Sequence, residues 1–418
     1  MKRNLFFMAL SAMALVTSCS NDEVTEVSDS NAIKFDVTAG NVTRAANVYC
    51  NYNLPTAFKV WAQLGNDAYI SGDDIEFKNN AWTDVTATRY WPKENLNFYA
   101  TVNSGNFTAS NRQLAEFTVN ETVGQQLDLL YAVKKDQSKN TNNATVKLNF
   151  RHALSQIVFK AQNKNKGLYV EIDAVGVYNV KNAGVFTLPD NNTDNNVIDH
   201  SSSSTTPISN QGSWKEEKGC AGYPVAFNKV TLEGDSNVQN LTDNETTHAA
   251  GASYDYSKAM LLLPCAEATT AWNGTTKLEG FNTTTSSNEV DAITYTPTAN
   301  HGSFILAKCA IWNVADLESG KQNGDVLLYG NKDDENNITT RWIVIPASFN
   351  WAQGKKYIYT LVFDKGNGGK DPEGPDDVLV KIEYTVTVDD FVKGENKDVD
   401  MDKNGTQTNT PSASASES

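Results

Sequence analysis

The residues able to do covalent or metal chemistry are few and widely spaced. The chain has five cysteines (Cys19, Cys50, Cys220, Cys265, Cys309) and four histidines (His152, His200, His248, His301). No C-x-x-C, no H-E-x-x-H and no Cys/His group with zinc spacing occurs. There is no G-x-S-x-G elbow and no glycine-rich phosphate loop. Asp73-Asp74 and Asp389-Asp390 are paired carboxylates. Neighbouring strand residues point to opposite faces and loop pairs stay solvated, so neither supplies a general acid with its base. Asp364, Asp371, Glu373, Asp376 and Asp377 offer oxygen donors in one Gly/Pro-rich stretch. Their spacing departs from a calcium loop, and a solvated hairpin connection fits better. Eight tryptophans, among them Trp61, Trp91, Trp312 and Trp351, could stack on sugars. In a β-rich protein, packing in the core is the more common use of such rings. His152 reads as a packing or hydrogen-bonding residue and the other histidines as surface residues. These readings point away from an enzyme and call for no metal or cofactor.

Cys19 stands apart from the other thiols. Lys2 and Arg3 precede an apolar run, Leu5 to Val16, which leads into Val16-Thr17-Ser18-Cys19. The run is too short to cross a bilayer and reads as a signal peptide. Its end resembles the lipobox of bacterial lipoproteins; the alternative is an ordinary signal peptide that contains a Cys. The resemblance implies a diacylglycerol on the Cys19 thiol and an acyl chain such as palmitate on the new amino terminus. Each buried methylene is worth roughly 0.8 kcal/mol, so several chains anchor stably. Ser20-Asn21-Asp22-Glu23 resembles the acidic tag that directs some lipoproteins to the outer face of the outer membrane.

The chain has 418 residues and a formal net charge of −15. That length suits two domains after processing. The negative charge argues against nucleic acid and anionic membrane as partners. No later apolar run is long enough to span a membrane, so the body is expected to be soluble and tethered at its start. Cys50, Cys220, Cys265 and Cys309 allow three disulfide pairings that sequence leaves open; Cys265 and Cys309 sit in apolar runs, which favours buried free thiols.

The elements that must position these residues are short strands. In Ile33-Lys34-Phe35-Asp36-Val37 the apolar side chains alternate with charged ones, which predicts a half-buried strand. Phe58 to Ala62, Leu96 to Ala100, Val146 to Phe150, Ile157 to Ala161 and Val170 to Val177 continue the pattern between Gly, Pro and Asn punctuation. The second half repeats it at Met260 to Leu263, Phe304 to Ala307, Trp342 to Ile345 and Tyr357 to Phe363. The clearest alternation places Val378, Val380, Ile382, Tyr384, Val386 and Val388 on one face. Such strands predict an all-β protein built as sandwiches, with helix confined to single turns. Asp190 to Asn210 is a polar stretch and marks the expected domain boundary.

Taken together, these segments resemble the fimbrillin-like proteins, subunits of the type V pili of Gram-negative anaerobes. The shared features are the lipoprotein start, Ile33-x-Phe35 followed by Thr43-Arg44-Ala45, and Phe58-x-Val60-Trp61-Ala62. Tyr90-Trp91-Pro92, Leu148-x-Phe150-Arg151-His152-Ala153-Leu154-Ser155-Gln156-Ile157 and Gly354-Lys355-Lys356-Tyr357-Ile358-Tyr359 follow in order. The resemblance implies two tandem transthyretin-like β-sandwich domains. The expected order is signal peptide (1–18), lipid tether with a removable strand (19–44), N-terminal sandwich (45–205), C-terminal sandwich (206–396) and a polar tail (397–418). It also implies a trypsin-like maturation protease that cuts between Arg44 and Ala45, releasing Ile33, Phe35 and Val37 with the lipid anchor. A neighbouring subunit would then fill the vacated groove, which was expected to lie at a sheet edge. Val378 to Val388 is either that exchangeable strand or the last core strand of its own domain. The implied partners are other pilin subunits, the outer membrane and a host or bacterial surface receptor. The competing reading is a monomeric, glycan-binding surface lipoprotein.

Overall fold

The computed structural model describes residues 31–390 apart from 38–54, 143–144, 194–210, 243–257, 266, 280, 282–292, 294, 316–320, 323, 333–337, 366–368 and 373–379. The protein is all-β. The first strands are β1 (Lys34–Val37), β2 (Ala57–Leu64), β3 (Asp67–Lys78), β4 (Ala81–Asp84) and β5 (Leu96–Val102). Short pieces follow: β6 (Phe107–Thr108), β7 (Gln113–Leu114) and β8 (Phe117–Thr118). Next come β9 (Leu130–Gln137), β10 (Thr145–Leu148), β11 (Arg151–His152), β12 (Ser155–Asn163), β13 (Leu168–Val180) and β14 (Ala183–Thr187). After the boundary stretch stand β15 (Ser213–Lys218), β16 (Ala221–Glu233), β17 (Gln239–Asn240), β18 (Met260–Leu262) and β19 (Phe304–Asn313). The chain closes with β20 (Val326–Tyr329), β21 (Asn331–Lys332), β22 (Ile338–Thr339), β23 (Arg341–Pro346), β24 (Lys355–Lys365) and β25 (Val380–Asp390).

An eight-stranded sheet runs in the order β10-β1-β4-β3-β2-β5-β9-β11. Strands β9 and β10 also approach each other, so the sheet curls around its own core. Phe58, Val60, Ile75, Phe98, Ala132, Val146 and Leu148 fill that core together with Ile33, Phe35 and Val37. On β3, Gly72 has φ of +95° and lies 3.2 Å from the Trp61 indole at the place a Cβ would occupy. A side chain there would meet both the left-handed backbone and the ring.

The second assembly pairs two five-stranded sheets. One runs β17-β12-β24-β25 with β18 beside β12; the other runs β16-β13-β19-β20 with β23 beside β19. Ile157, Phe159, Tyr359 and Leu361 of the first share a core with Val170, Ile172, Ile305 and Ala307 of the second. A smaller sheet, β15-β14-β7-β6 with β8 beside β14, takes strands from both sides of the expected boundary. It lies against the outer face of the eight-stranded sheet, where Trp61 meets Phe107 at 4.8 Å and Tyr131 meets Phe186 at 5.0 Å between ring centroids.

The boundary expected at 205 falls in the stretch that joins β14 to β15. Strands β14 and β15 are antiparallel partners, with Phe186 opposite Trp214, so that position falls between two halves of one ladder. The change of sheet comes instead near residue 150. From Ser155 onward β12 pairs in parallel with β24, two hundred residues later, Gln156 facing Lys356. A polar stretch marks a place where the chain tolerates solvent, and hairpin loops do so as readily as linkers. The Arg151-to-Ser155 crossing is held by the far end of the chain. The Gly354 N–H donates to Leu154 O at 2.9 Å, Gln353 Nε2 to His152 O at 3.1 Å, and Ser155 Oγ to Ala352 O at 2.9 Å. His152 Nδ1 lies 2.8 Å from Asp128 Oδ2.

Candidate functional site

The site is the slot that β1 occupies. Its alternation of apolar and charged residues puts Ile33, Phe35 and Val37 in the core and leaves Lys34 and Asp36 exposed. Phe35 sits at the centre, edge-on to Phe58 at 6.1 Å and to Phe98 at 5.9 Å. On one side β1 runs parallel to β10, with Lys34 opposite Thr145, Phe35 opposite Val146, Asp36 opposite Lys147 and Val37 opposite Leu148. On the other side Phe35 pairs antiparallel with Trp82 of β4. The strand is therefore not at an edge, as the sequence suggested, but between two neighbours. A four-residue strand with a Val/Phe/Ile face stabilises itself most where both ladders and all its pockets are filled.

The slot continues upstream. Ile33 N–H donates to Arg89 O at 2.8 Å, Trp91 N–H donates to Asn31 O at 3.0 Å, and Ala32 bridges to Tyr90. Segment 89–91 thus forms a lip over the start of the strand. Side chains fix that lip. Arg89 donates from Nε to Asp73 Oδ2 at 2.6 Å and from Nη2 to Asp73 Oδ1 at 3.0 Å. Tyr69 donates its hydroxyl to Tyr90 O at 2.5 Å. Asp84 Oδ1 accepts from Thr86 N at 2.9 Å and Ala87 N at 3.0 Å. Burial, and then the neighbouring Asp73 charge, push the Asp84 carboxyl above the usual carboxylate range.

The sequence reading set adjacent strand carboxylates on opposite faces, and on β3 Asp73 and Asp74 are so placed. Asp74 is exposed beside Lys59 at 2.6 Å, whereas Asp73 is buried against Arg89. The alternation that separates the two was legible; the Arg89 partner was not. Tyr90-Trp91 was singled out as a motif, and the lip is the physical role the structure assigns it.

The other candidate strand lies elsewhere. β25 pairs antiparallel along the whole of β24, from Lys355 opposite Asp390 to Lys365 opposite Val380, and is the last strand of its sheet among the described residues. Its burial declines along the strand: Ile382 is 2% exposed, Tyr384 half-buried and Val386 42% exposed. Cys19, Arg44, Ala45, Cys50, Val378, His200 and His248 lie outside the described residues, and of the Val380 and Val388 side chains nothing is described.

The remaining candidates are accounted for by packing. Six of the eight tryptophans are buried, while Trp82 and Trp214 are half-buried, Trp82 lying 5.2 Å from the exposed Phe77 between ring centroids. Asp371 of the acidic loop pairs with Arg341 at 2.6 Å. His301, expected at the surface, is half-buried with Nδ1 at 3.2 Å from the Tyr295 hydroxyl. Cys220, Cys265 and Cys309 are free thiols, and burial pushes Cys265 up to about 11 and Cys309 higher still. Among the described residues no helix is long and apolar enough to cross a membrane.

The fimbrillin-like family model matches residues 43–390. This chain belongs to the fimbrillin-like family. Its fold is similar to a fimbrial protein of Bacteroides vulgatus, at 12% identity and a TM-score of 0.44, over 87% of this chain and 100% of that one. It is also similar to a fimbrilin of Porphyromonas gingivalis, at 10% identity and a TM-score of 0.39, over 86% and 97% of the two chains. No curated protein sequence matches.

Proposed function

We propose that this fimbrillin-like chain is a fimbrial subunit that polymerises by strand replacement at the β1 slot and supports cell attachment. The observation that carries the proposal is the seating of residues 31–37 between β4 and β10, with three buried apolar side chains and two unequal ladders. The precursor is exported as a lipoprotein, held to the outer membrane through acyl groups on Cys19. An Arg-specific protease cuts between Arg44 and Ala45, in the link from β1 to β2. The family match begins at Thr43, next to that bond, which supports the placement. The arginines of the described residues are engaged: Arg89 with Asp73, Arg112 with Asp190, Arg151 with Thr193 O and Arg341 with Asp371.

Loss of β1 uncovers three pockets, each worth about 1.5–3 kcal/mol if fully buried. It also strips hydrogen-bond partners from β4 and β10. A strand from another subunit restores both terms by β-augmentation. Two units, the eight-stranded sheet with its core and the pair of five-stranded sheets, make the subunit body. The glycan-binding reading would rest on the Phe77–Trp82 pair, of which Phe77 is 38% exposed and Trp82 half-buried.

Digestion of the full chain with an Arg-specific protease tests this. Cleavage after Arg44 followed by detergent-resistant ladders is the expected result, and Arg44→Ala is expected to remain monomeric. A chain cleaved at Arg44 that stays monomeric overturns strand replacement; ladders from Arg44→Ala overturn the cleavage step.

A further inference from the structure

We infer that Thr193 is a clasp that holds β10 in position when β1 is absent, and so keeps the β1 slot open. This rests on the strand-replacement reading above and adds the positioning residue that preserves the slot between the loss of one strand and the arrival of the next.

The need for such a residue lies in how β10 is paired. Among the described residues β1 is the one strand that forms a ladder with it. Loss of β1 therefore leaves β10 without a ladder, and unpaired backbone groups are driven towards new partners. Two strands are close. One is β4, the other wall of the slot, and the second is β9, which approaches β10 from the far side. Movement towards β4 closes the slot, and movement towards β9 widens it beyond the width of one strand.

Thr193 blocks both movements. The chain runs from β10 into β11, which pairs with β9 through Arg151 opposite Tyr131 and His152 opposite Leu130. One further antiparallel step would set Asn149 opposite Val133. Thr193 stands between those two residues instead, bonded to each. Its N–H donates to Val133 O at 3.0 Å, and its Oγ1 accepts from Val133 N at 3.2 Å. The same hydroxyl donates to Asn149 O at 2.7 Å. Thr193 O accepts from Asn149 Nδ2 at 3.2 Å and from Arg151 Nη2. Thr193 is fully buried, so these bonds do not compete with solvent. A hydroxyl is the group required, because it accepts from β9 and donates to the end of β10 at once.

The clasp is anchored away from the slot. Asn192 Oδ1 accepts from Lys135 N of β9 at 2.6 Å. Asp190 pairs with Lys135 at 2.9 Å and with Arg112 at 3.3 Å. Leu188 N–H donates to Arg112 O at 2.9 Å, which ties the segment to the small sheet. None of these contacts involves β1, so all of them outlast its departure. They also occupy the Val133 N–H and C=O and the Lys135 N–H, which β9 then does not offer to β10 or to a misplaced strand.

Substitutions in the full chain test this without proteolysis. Ile33→Asp with Phe35→Asp puts two charges into closed pockets and unseats β1. A synthetic peptide of residues 31–37 is then offered to the vacated slot. With Thr193 intact, Thr145–Leu148 is expected to keep slow hydrogen exchange and the peptide is expected to bind. Adding Thr193→Val, which removes the hydroxyl at similar volume, should speed that exchange and weaken the peptide by about tenfold each. Thr193→Ser should restore both. With β1 seated, Thr193→Val should leave exchange in β10 near wild type, because the ladder to β1 still holds it; a residue of purely structural weight would speed exchange alike in both backgrounds. Fast exchange in β10 or no peptide binding while Thr193 is intact, or equal behaviour of Thr193 and Thr193→Val with β1 unseated, overturns the clasp. Peptide binding by the unseated chain, with no ladders from the Arg44-cleaved natural chain, leaves the clasp standing and overturns strand replacement between subunits.

Discussion

Strands β1 and β25 carry the same apolar order on one face and are held in opposite ways. β1 is four residues long, with one short parallel ladder and one antiparallel pair, and its Phe35 and Val37 are buried together with Ile33 just before it. β25 is eleven residues long, paired residue for residue with β24 on one side, with a face that is buried only in part. The first is retained by its pockets and the second by its ladder. A ladder at an edge is exchangeable for water or for another strand, bond for bond, so its net worth per residue is modest. Filled pockets have no such substitute.

The sharpest way to break this contrast is to truncate both. Phe35→Ala is expected to lower the stability of the eight-stranded sheet by about 3–5 kcal/mol, while Val386→Ala changes the monomer by no more than about 0.5 kcal/mol. Urea unfolding followed through separate probes on the two sheets measures both. Equal losses would mean that β1 is held by its ladder after all.

A smaller effect is expected at the lip. Arg89→Ala removes two charge-assisted bonds to the buried Asp73 and should cost about 1–3 kcal/mol locally. Hydrogen exchange at the Ile33 amide is expected to accelerate, with exchange in β24 and β25 unchanged. Unchanged protection at Ile33 would show that segment 89–91 is held by backbone alone.

The smallest effect is a pH dependence. Asp84 binds its proton more tightly folded than unfolded, because burial and Asp73 disfavour its charge. Its contribution is full below the ordinary carboxylate value and is lost as pH rises through the raised one. Ile33 protection should therefore increase as pH falls through that window, and Asp84→Asn should flatten the profile. A rise in protection with pH in the wild-type chain would contradict the placement of Asp84 beside Asp73.

Much of the site was legible from residue order. Ile33-x-Phe35-x-Val37 reads as one buried face because side chains in a strand repeat every two residues, and the structure buries all three. The same rule drew the face of β25 and separated Asp73 from Asp74. The interior position of β1 was not legible, because Thr145 to Leu148 and Trp82 reach it across more than forty residues. The pairing of β14 with β15 across the polar stretch was not legible for a related reason. A polar, Ser- and Asn-rich stretch looks the same whether it joins two domains or the two halves of a ladder.

What the sequence determined by itself was local: the strand faces, the family and the aromatic at the centre of the Ile33-to-Val37 face. Those properties depend on residues two to five apart, and each strand carries them wherever it packs. The tertiary structure decided which strands are neighbours. It put β1 between β4 and β10, closed the lip with Asp73 and Arg89, and set β25 last in its sheet among the described residues. Each of those pairings joins residues distant along the chain, and they are selected only when burial of the whole core repays the entropy of closing those loops.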